Sequence, residues 1–270
     1  MPITVIDSFE RSLPTLPMKA KDSEDKRSAT QKRKFPVQYH SAKESSTSTR
    51  LATPIAGYIK GDVGSFMFLA RERLAKVNNI DEYMPGVEKA YFLANEADVV
   101  RASAQHLVYP INILLPALFP GINLRIVCNS EISETKETRF DMRWLLITPG
   151  KTVTAAILEY KTTRALHSSE FLRGQFDASE AEKAMKEAKP SSTYFNGNAV
   201  PVSLQVSKYS NICKHVAVFD WSAMMLFDLS DWDPIKSRAG RGCFYTEPDD
   251  SGSFRLVLLG FLLEALGRHL

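Results

Sequence analysis

Two apolar segments joined by a tight turn constrain this chain more than any other feature of its sequence. Residues 139–148 and 152–162 are rich in large apolar side chains, and Thr148-Pro149-Gly150-Lys151 lies between them. Neighbouring Pro and Gly are a strong turn signal, so the sequence predicts an antiparallel hairpin here. The second segment ends in Glu159-Tyr160-Lys161, where two opposite charges on alternate residues share one face of the strand.

The register of this hairpin decides whether Asp141, near the start of its first strand, lies beside Glu159. With a plain two-residue turn Thr148 pairs with Lys151 and Asp141 faces Leu158, so the two carboxylates point to opposite sides of the sheet. A three-residue loop or one β-bulge shifts the pairing by one residue and brings them together. We predict such a loop or bulge, and an unbulged two-residue turn would contradict a metal site at this point.

A cluster of Asp141, Glu159 and Lys161 would have a clear chemical use. Carboxylate oxygens are ligands that Mg²⁺ and Mn²⁺ prefer. Such an ion lowers the pKa of a bound water and stabilises charge on a phosphate, and a lysine beside it can hold the attacking water. The alternatives are an ordinary exposed Glu159–Lys161 ion pair and an Asp141 that pairs with Arg139 or Arg143.

The remaining segments predict an α/β fold in one domain. Helices are predicted at residues 66–77, 87–108, 203–212 and 254–266, the last with one apolar face. Strands are predicted at residues 122–129, 139–148, 152–162, 215–220 and 224–229. The order is helix, three strands, helix and two strands, followed by a terminal helix. Residues from about 167 to 202 form a helical insertion, and residues 230–252 are predicted to be mostly loop.

Residues 1–50 carry the basic excess of the chain. The whole sequence has 34 Lys and Arg against 31 Asp and Glu, and residues 1–50 hold 10 and 6 of these, which leaves 24 and 25 for the rest. The segment is rich in Ser, Thr, Lys and Glu, so we predict a disordered basic tail followed by one domain over residues 51–270. Its Lys32-Arg33-Lys34 cluster could act in nuclear import or contact phosphate, although solvated tails commonly carry such runs.

The sequence predicts a nuclear or cytoplasmic protein that is neither secreted nor membrane-spanning. The three cysteines lie far apart, which argues against a disulfide scaffold and a CxxC zinc site. The first residues lack a basic segment followed by a long apolar one. The uncharged stretch 107–124 contains three prolines, which would break a spanning helix. His106, His167 and His215 show no spacing that suggests a metal site or a triad, so we interpret them as structural.

The hairpin residues resemble the signature of the PD-(D/E)XK nuclease superfamily. Asp141 followed after a turn by Glu159-x-Lys161 matches that signature, although no Pro precedes Asp141. The segment 157–162, Ile-Leu-Glu-Tyr-Lys-Thr, resembles the (V/I)-V-D-Y-K-T core of the RecB-like branch. The chain is also similar to a group of fungal proteins of this fold.

Two further segments extend the resemblance beyond the hairpin. Gln205 and Tyr209 match the Q-x-x-x-Y motif of the RecB-like branch, and their spacing places them on one face of a helix. Glu96 resembles the acidic residue on the first core helix of the family, with Asp98 as a competitor for that role. Gln205 and Tyr209 could instead be ordinary packing positions of a helix.

The resemblance covers about residues 88–230 and implies a restriction-endonuclease-like core. This core has the order αβββαβ and a mixed sheet flanked by helices, here with an added C-terminal helix. It implies a nuclease that hydrolyses phosphodiester bonds of nucleic acid, DNA foremost, with Mg²⁺ or Mn²⁺ as cofactor. The metal would be held by Asp141, Glu159, the Tyr160 carbonyl and Glu96, and Lys161 would position the attacking water. The Q-x-x-x-Y pair would orient the site or contact the substrate backbone.

A nuclease fold that binds or interacts without cleavage is the alternative function. The near-neutral charge of residues 51–270 favours it, because strong non-specific nucleic-acid binders usually carry a basic excess. The intact Asp-Glu-Lys set favours the enzyme. If the metal and the basic tail together attract the phosphate backbone, removing residues 1–50 should weaken nucleic-acid binding and leave metal binding intact.

Overall fold

An eight-stranded mixed β-sheet forms the centre of the protein. The computed structural model describes residues 2–18, 53–77, 80–87, 91–131, 139–188, 192–247 and 252–270. In chain order the strands are β1 (Tyr58–Lys60), β2 (Asn123–Glu131), β3 (Arg139–Thr148), β4 (Lys151–Tyr160), β5 (Gln175–Phe176), β6 (His215–Phe219), β7 (Met224–Asp228) and β8 (Gly240–Tyr245). Their order across the sheet is β2-β3-β4-β6-β7-β8-β1-β5. The α/β class predicted from the sequence is confirmed.

Helices pack against this sheet. The α-helices of the described residues are α1 (Val63–Leu74), α2 (Glu96–Ser103), α3 (Tyr109–Leu118), α4 (Ser168–Phe171), α5 (Ala178–Glu187), α6 (Ala199–Tyr209) and α7 (Phe254–Gly267). Short 3₁₀ turns cover Asp7–Glu10 and Leu172–Gly174, and a π-helical turn covers Ala104–Val108. No helix in the described ranges is both long and apolar enough to cross a membrane.

Parallel pairing of β4 with β6 places the ends of two strands that are distant in the chain side by side. The pairs run from Ile157↔Val216 to Tyr160↔Phe219. Parallel neighbours need a crossover connection, and α6 is the helix that immediately precedes β6. The carboxyl ends of β4 and β6 therefore lie at the same edge of the sheet.

Alternation along β4 sends its side chains to two different cores. Ala156, Leu158 and Tyr160 belong to the apolar cluster that contains α1, α3 and α7. Ile157 belongs to the cluster that contains α6. Since successive strand residues point to opposite faces, Glu159 lies on the α6 face of the sheet.

Helix α7 is buried on nearly all sides rather than on one face. Every residue from 254 to 266 except Glu264 is buried. The helix approaches α1 so closely that a Cβ added at Gly260 would lie 2.0 Å from the main-chain oxygen of Phe66. The small residue therefore sets the distance between the two helices.

Gly260→Ala is expected to destabilise the protein by about 1–3 kcal/mol, because the added methyl group overpacks the α1–α7 contact. Gly267 in the same helix is a matched control, since an added Cβ there meets nothing within 4 Å. Gly267→Ala should be neutral, or stabilising by up to about 1 kcal/mol through helix propensity. Denaturant unfolding of both variants checks the pair, and equal stability changes would contradict the close approach.

Residues 2–18 are part of the folded domain, so the prediction of a disordered tail over residues 1–50 is wrong for this stretch. Its apolar side chains enter the main core: Val5, Phe9, Leu13 and Leu16. The prediction failed because the packing partners of these four residues come from distant parts of the chain and leave no local pattern. Residues 19–50, with Lys32-Arg33-Lys34, lie outside the described residues. Removing residues 1–50 should therefore damage the fold, and with it metal binding.

Buried polar side chains hold the N-terminal segment in place. Arg255 in α7 is 3 % exposed and donates from Nη1 to the carbonyls of Ser8 (2.8 Å) and Arg11 (2.9 Å). The Glu247 carboxylate accepts the main-chain N–H of Leu13 at 3.1 Å. These contacts satisfy buried carbonyls that would otherwise carry a desolvation cost.

The helix predicted over residues 87–108 is wrong at both ends. Residues 91–95 are not helical, and α2 begins at Glu96 because Asn95 caps it. At the other end, the π turn 104–108 continues into α3, with Pro110 in its first turn. Pro110 has no N–H to donate to the His106 carbonyl four residues earlier, and Arg255 Nε donates to that carbonyl instead.

Three strands, β1, β5 and β8, were not predicted from the sequence. The predicted helical insertion is only partly helical. β8 falls in the stretch predicted as mostly loop, and β1 and β5 have only 3 and 2 residues. Strand β5 lies within residues 167–202, between α4 and α5, and pairs with β1. The insertion therefore supplies an edge strand as well as helices.

Candidate active site

The β3–β4 hairpin combines a two-residue turn with one β-bulge. Thr148 pairs with Lys151, whereas Trp144 pairs with Ala156, because Ala155 is an extra residue on β4. A bulge of this kind shifts the register by one residue. The predicted shift in register is confirmed, and the unbulged hairpin that would contradict the site is not found.

The bulge brings Asp141 to the position opposite Glu159. The last ladder pair before the strands part is Met142↔Leu158, so the next position along matches Asp141 with Glu159. Without the extra residue, the pairing set by the turn would place Leu158 there instead. One inserted residue on β4 therefore places both carboxylates at the same end of the hairpin.

The Asp141 carboxylate is bound at the end of the β3–β4 ladder. Its Oδ2 accepts the main-chain N–H of Tyr160 at 2.7 Å. A strand residue directs its N–H and C=O to the same side, so the Tyr160 carbonyl is on the Asp141 side of β4. Within the described residues Arg143 makes no ion pair with Asp141, and its guanidinium lies 5.8 Å from the ring centroid of Phe140. The Arg139 side chain lies outside the described residues.

Glu159 is the centre of a polar network on the α6 face of the sheet. Its side chain is 7 % exposed. Its Oε1 accepts hydrogen bonds from Lys161 Nζ at 2.7 Å and from Gln205 Nε2 at 2.5 Å. Its Oε2 accepts from Tyr209 Oη at 2.8 Å, and Gln205 Nε2 also contacts Tyr209 Oη at 2.6 Å. The Q-x-x-x-Y pair and the E-x-K pair, far apart in the sequence, therefore form one cluster.

Three donors are needed because a buried carboxylate is costly without hydrogen bonds. Burial, with Glu159 beside it, raises the pKa of Tyr209 above its usual range, so the hydroxyl stays protonated and donates. Glu159 Oε1 receives two of the three bonds and Oε2 receives one. A carboxylate has about four lone-pair sites, so Oε2 retains room for a further partner.

Glu96, and not its competitor Asp98, is the acidic residue of α2 that faces the site. Asp98 accepts the main-chain N–H groups of Ala94 and Asn95 through Oδ2, so it is occupied in the capping box. Glu96 interacts electrostatically with the cluster: burial raises its pKa, Lys161 opposes that shift and Glu159 adds to it. The choice that the sequence left open is therefore decided by helix capping.

The three carboxylates do not form one closed cluster. In the part of the chain that the structure describes, the three acidic side chains Glu96, Asp141 and Glu159 do not place oxygens all within 4.8 Å of one another. Asp141 and Glu159 lie on neighbouring strands at the same end of the β3–β4 hairpin, whereas Glu96 lies on helix α2. Glu96 therefore contributes charge to the site through its electrostatic interactions with Glu159 and Asp141.

Acidic groups crowd around Asp141 and oppose its ionisation. Its pKa is raised to about 7, first by burial and then by Glu159, with a smaller contribution from Glu96. The Tyr160 N–H and Lys161 act in the opposite direction. Three carboxylates against one ammonium group leave the site with an excess of acidic oxygens, and a divalent cation would relieve their repulsion. The oxygen donors of Asp141, Glu159 and the Tyr160 carbonyl are of the type that Mg²⁺ and Mn²⁺ prefer.

The metal-free protein is expected to lose stability as the pH rises from about 4 to about 7. The Asp141 pKa is about 7 in the folded chain and about 3.9 in an unfolded one. Between these values the folded state keeps a proton that the unfolded state has released, so stability falls with rising pH. Unfolding of chelator-treated wild type and Asp141→Asn at about pH 5 and 7.5 checks this. The decline should be smaller in the variant, and equal declines would contradict the assignment.

The loop after β4 is held by an aspartate that sequence reasoning missed. Asp220 is fully buried and accepts the main-chain N–H groups of Leu166 (2.7 Å), Ser222 (2.9 Å) and Ala223 (2.7 Å). The main chain of Lys161 also donates to the carbonyl of Phe219 at 2.9 Å. Asp220 follows β6 directly, and an aspartate after a buried strand is the one signal that could have identified it.

Two residues beside this contact have left-handed backbone conformations. Arg164 has φ 60° and Trp221 has φ 74°. Such conformations cost energy for non-glycine residues and often occur near functional sites. Arg164 is exposed on this loop, and its main chain donates to Ser222 Oγ at 3.3 Å. Trp221 and Trp144 are core residues.

Comparison of the chain with protein-family models, with curated proteins and with solved structures gave no match.

Proposed function

We propose that this protein is a metal-dependent nuclease of the PD-(D/E)XK type, similar to its RecB-like branch. The observation that carries the proposal is the bulged β3–β4 register, which sets Asp141 opposite Glu159 at one strand end. Lys161, Gln205 and Tyr209 all bind the Glu159 carboxylate. Asp141 and Glu159 can share a metal ion only if the hairpin contains a bulge. A chance match to a short sequence motif would carry no such structural requirement.

The order of elements supports the same proposal. Helix α2 precedes the antiparallel strands β2, β3 and β4, and α6 then leads to β6, which is parallel to β4. This order of elements matches the αβββαβ order of a restriction-endonuclease-like core. Helix α7 is the addition at the end, and strands β7, β8, β1 and β5 extend the sheet on the β6 side.

Asp141, Glu159 and the Tyr160 carbonyl would hold Mg²⁺ or Mn²⁺. The ion, when bound, supplies Lewis-acid stabilisation of phosphate charge and lowers the pKa of a bound water. Tyr160 fixes the Asp141 carboxylate through its main-chain N–H, and the α6 pair fixes the Glu159 carboxylate. Preorganised ligands of this kind need no rearrangement at the moment of reaction.

Lys161 is placed to act on the attacking water. Its side chain is 21 % exposed, so it reaches solvent while Nζ stays 2.7 Å from Glu159 Oε1. From this position the ammonium group can donate a hydrogen bond to water and offset phosphate charge. Gln205 and Tyr209 bind the Glu159 carboxylate and serve the substrate through it, and Glu96 adjusts the charge of the site from α2.

Nucleic acid, DNA foremost, is the proposed substrate, and phosphodiester hydrolysis is the proposed reaction. Purified protein would be incubated with linear DNA, circular DNA and RNA in Mg²⁺, in Mn²⁺ and in chelator. We expect cleavage that requires the metal, and the three substrates separate DNA from RNA and end-dependent from internal cleavage. Absence of cleavage on all three would contradict the proposal.

Thermal stabilisation by Mn²⁺ or Mg²⁺ separates an active site from an inactive nuclease fold. A ligand that binds only the folded state raises the unfolding temperature. We expect this shift in the wild type and not in Asp141→Asn. A protein with neither the shift nor cleavage would instead be a binding or interaction module.

A further inference from the structure

A second polar cluster lies at the opposite end of β6 from the candidate active site. It consists of His215, the first residue of β6, Asp228, the last residue of β7, and Glu264 in α7. One ligand atom from each residue lies within 4.8 Å of the other two. His215 and Asp228 are direct cross-strand partners. Phe219, at the other end of β6, is four residue steps from His215, which is about 13 Å at 3.3 Å per residue.

His215 is the unusual member of the cluster, because its buried nitrogen is unpaired. The side chain is 3 % exposed, and in the described chain Nε2 has no hydrogen-bond partner. The nearest acidic oxygen, Asp228 Oδ1, is 3.6 Å away. Burial lowers the pKa of His215 to about 4, so the imidazole is neutral at physiological pH. Neutral imidazole is the form that binds metal ions.

The Arg268 guanidinium, a cation, already binds the two carboxylates of this cluster. Its Nη2 lies 2.8 Å from Asp228 Oδ2 and 2.8 Å from Glu264 Oε1. The guanidinium satisfies the two carboxylates and leaves His215 Nε2 without a bond. A divalent cation in the same position would satisfy all three groups. The Arg268 side chain is 32 % exposed and follows the end of α7, so it can move out into solvent.

From this arrangement we infer a Zn²⁺ site formed by His215, Asp228 and Glu264, in which the ion displaces the Arg268 guanidinium. Imidazole nitrogen and carboxylate oxygen are both ligand types of this ion, with bonds of about 2.0–2.2 Å. Closing the cluster around an ion requires movements of about an ångström. The three ligands leave a fourth position for water. The site would join β6, β7 and α7 at the end of the sheet remote from Asp141 and Glu159.

Neighbouring residues hold the side chains of the cluster in orientation. Phe261, one turn before Glu264, packs its ring edge-on against the His215 imidazole, with centroids 5.5 Å apart. The main-chain N–H of Ser230 donates to Asp228 Oδ1 at 3.0 Å. These contacts fix two of the ligands in orientation, as outer contacts do in known metal sites. Arg241 Nε is 3.8 Å from Asp228 Oδ2 and adds a second positive charge near this carboxylate.

Zn²⁺ titration of chelator-treated protein by calorimetry tests the inference, which does not rest on the proposed nuclease activity. The background is Asp141→Asn with Glu159→Gln, since these changes remove the carboxylate pair of the candidate active site. We expect one Zn²⁺ per chain in this background, and X-ray absorption should show nitrogen and oxygen ligands with the outer-shell scattering of one imidazole. No stoichiometric binding would overturn the site.

Two single changes in this background move the affinity in opposite directions. His215→Gln should weaken Zn²⁺ binding by at least about tenfold. Arg268→Ala should tighten it, because the competing cation is gone, while a purely structural ion-pair network would only lose stability. If His215→Gln fails to fold, Glu264→Gln replaces it, since Glu264 is partly exposed. Zn²⁺ affinity that is unchanged in Arg268→Ala would overturn the inference.

Discussion

Replacing Lys161 by alanine is expected to lower the rate of Mg²⁺-dependent nucleic-acid cleavage by about a hundredfold or more. The ammonium group is the cation of the candidate active site that contacts Glu159 directly, at 2.7 Å, and its side chain is 21 % exposed. Its loss removes the group that positions water and offsets phosphate charge. The rate should be measured under single-turnover conditions, so that product release does not mask the chemical step.

The fold should survive this change, because Glu159 keeps its hydrogen bonds from Gln205 and Tyr209. Lys151→Ala is the matched control, since Lys151 is an exposed lysine at the opposite end of the same strand. It should cleave at the wild-type rate. Equal rates in Lys161→Ala and Lys151→Ala would exclude the mechanism.

Deleting residues 1–18 is expected to abolish cooperative unfolding of the domain. The deletion removes four buried apolar side chains, each worth about 1.5–3 kcal/mol: Val5, Phe9, Leu13 and Leu16. It also takes the carbonyls of Ser8 and Arg11 away from the buried Arg255 guanidinium. The summed loss is comparable to the whole stability of a typical domain, about 5–15 kcal/mol.

Thermal unfolding followed by circular dichroism checks this expectation. Glu10→Ala is the control, because Glu10 lies in the same segment and forms an exposed ion pair with Arg71. Such pairs contribute about 0–1 kcal/mol, so the control should unfold close to the wild-type temperature. A deleted chain that also unfolds cooperatively within a few degrees of the wild type would show that the segment is dispensable.

The sequence predicted the hairpin and its bulge because a chemical requirement supplemented the local pattern. Turn residues alone give the register Thr148↔Lys151, which separates Asp141 from Glu159. Only the condition that two carboxylates share a metal indicated an extra residue. The contacts of Gln205 and Tyr209 with Glu159 could likewise be expected only from a resemblance, since the spacing within α6 shows merely that they share a face.

The unpredicted parts depend on contacts between distant segments. Strand β8 begins Gly240-Arg241-Gly242, which is typical of a loop, yet a Cβ at Gly242 would lie 2.8 Å from Tyr58. The glycine is needed because β1 packs against it. The N-terminal segment is ordered by Arg255, which lies more than 240 residues later in the chain. No local pattern contains this information.

His215 shows the same limit for the second cluster. Its partners Asp228 and Glu264 lie on another strand and on a helix, so no spacing indicates a metal site. His215 was interpreted as structural because the sequence shows it as an isolated histidine. The fold places it opposite two carboxylates, with its nitrogen buried.

The central claim is that Asp141, Glu159 and Lys161 form a metal-dependent hydrolytic site. The most direct test is the single-turnover cleavage of labelled DNA by wild type and Lys161→Ala, side by side, across a Mg²⁺ titration that begins in chelator. We expect no cleavage in chelator, a wild-type rate that rises and saturates with Mg²⁺, and little or no cleavage by the variant. Wild-type cleavage that persists in chelator, or equal rates for the two proteins at every Mg²⁺ concentration, would contradict it.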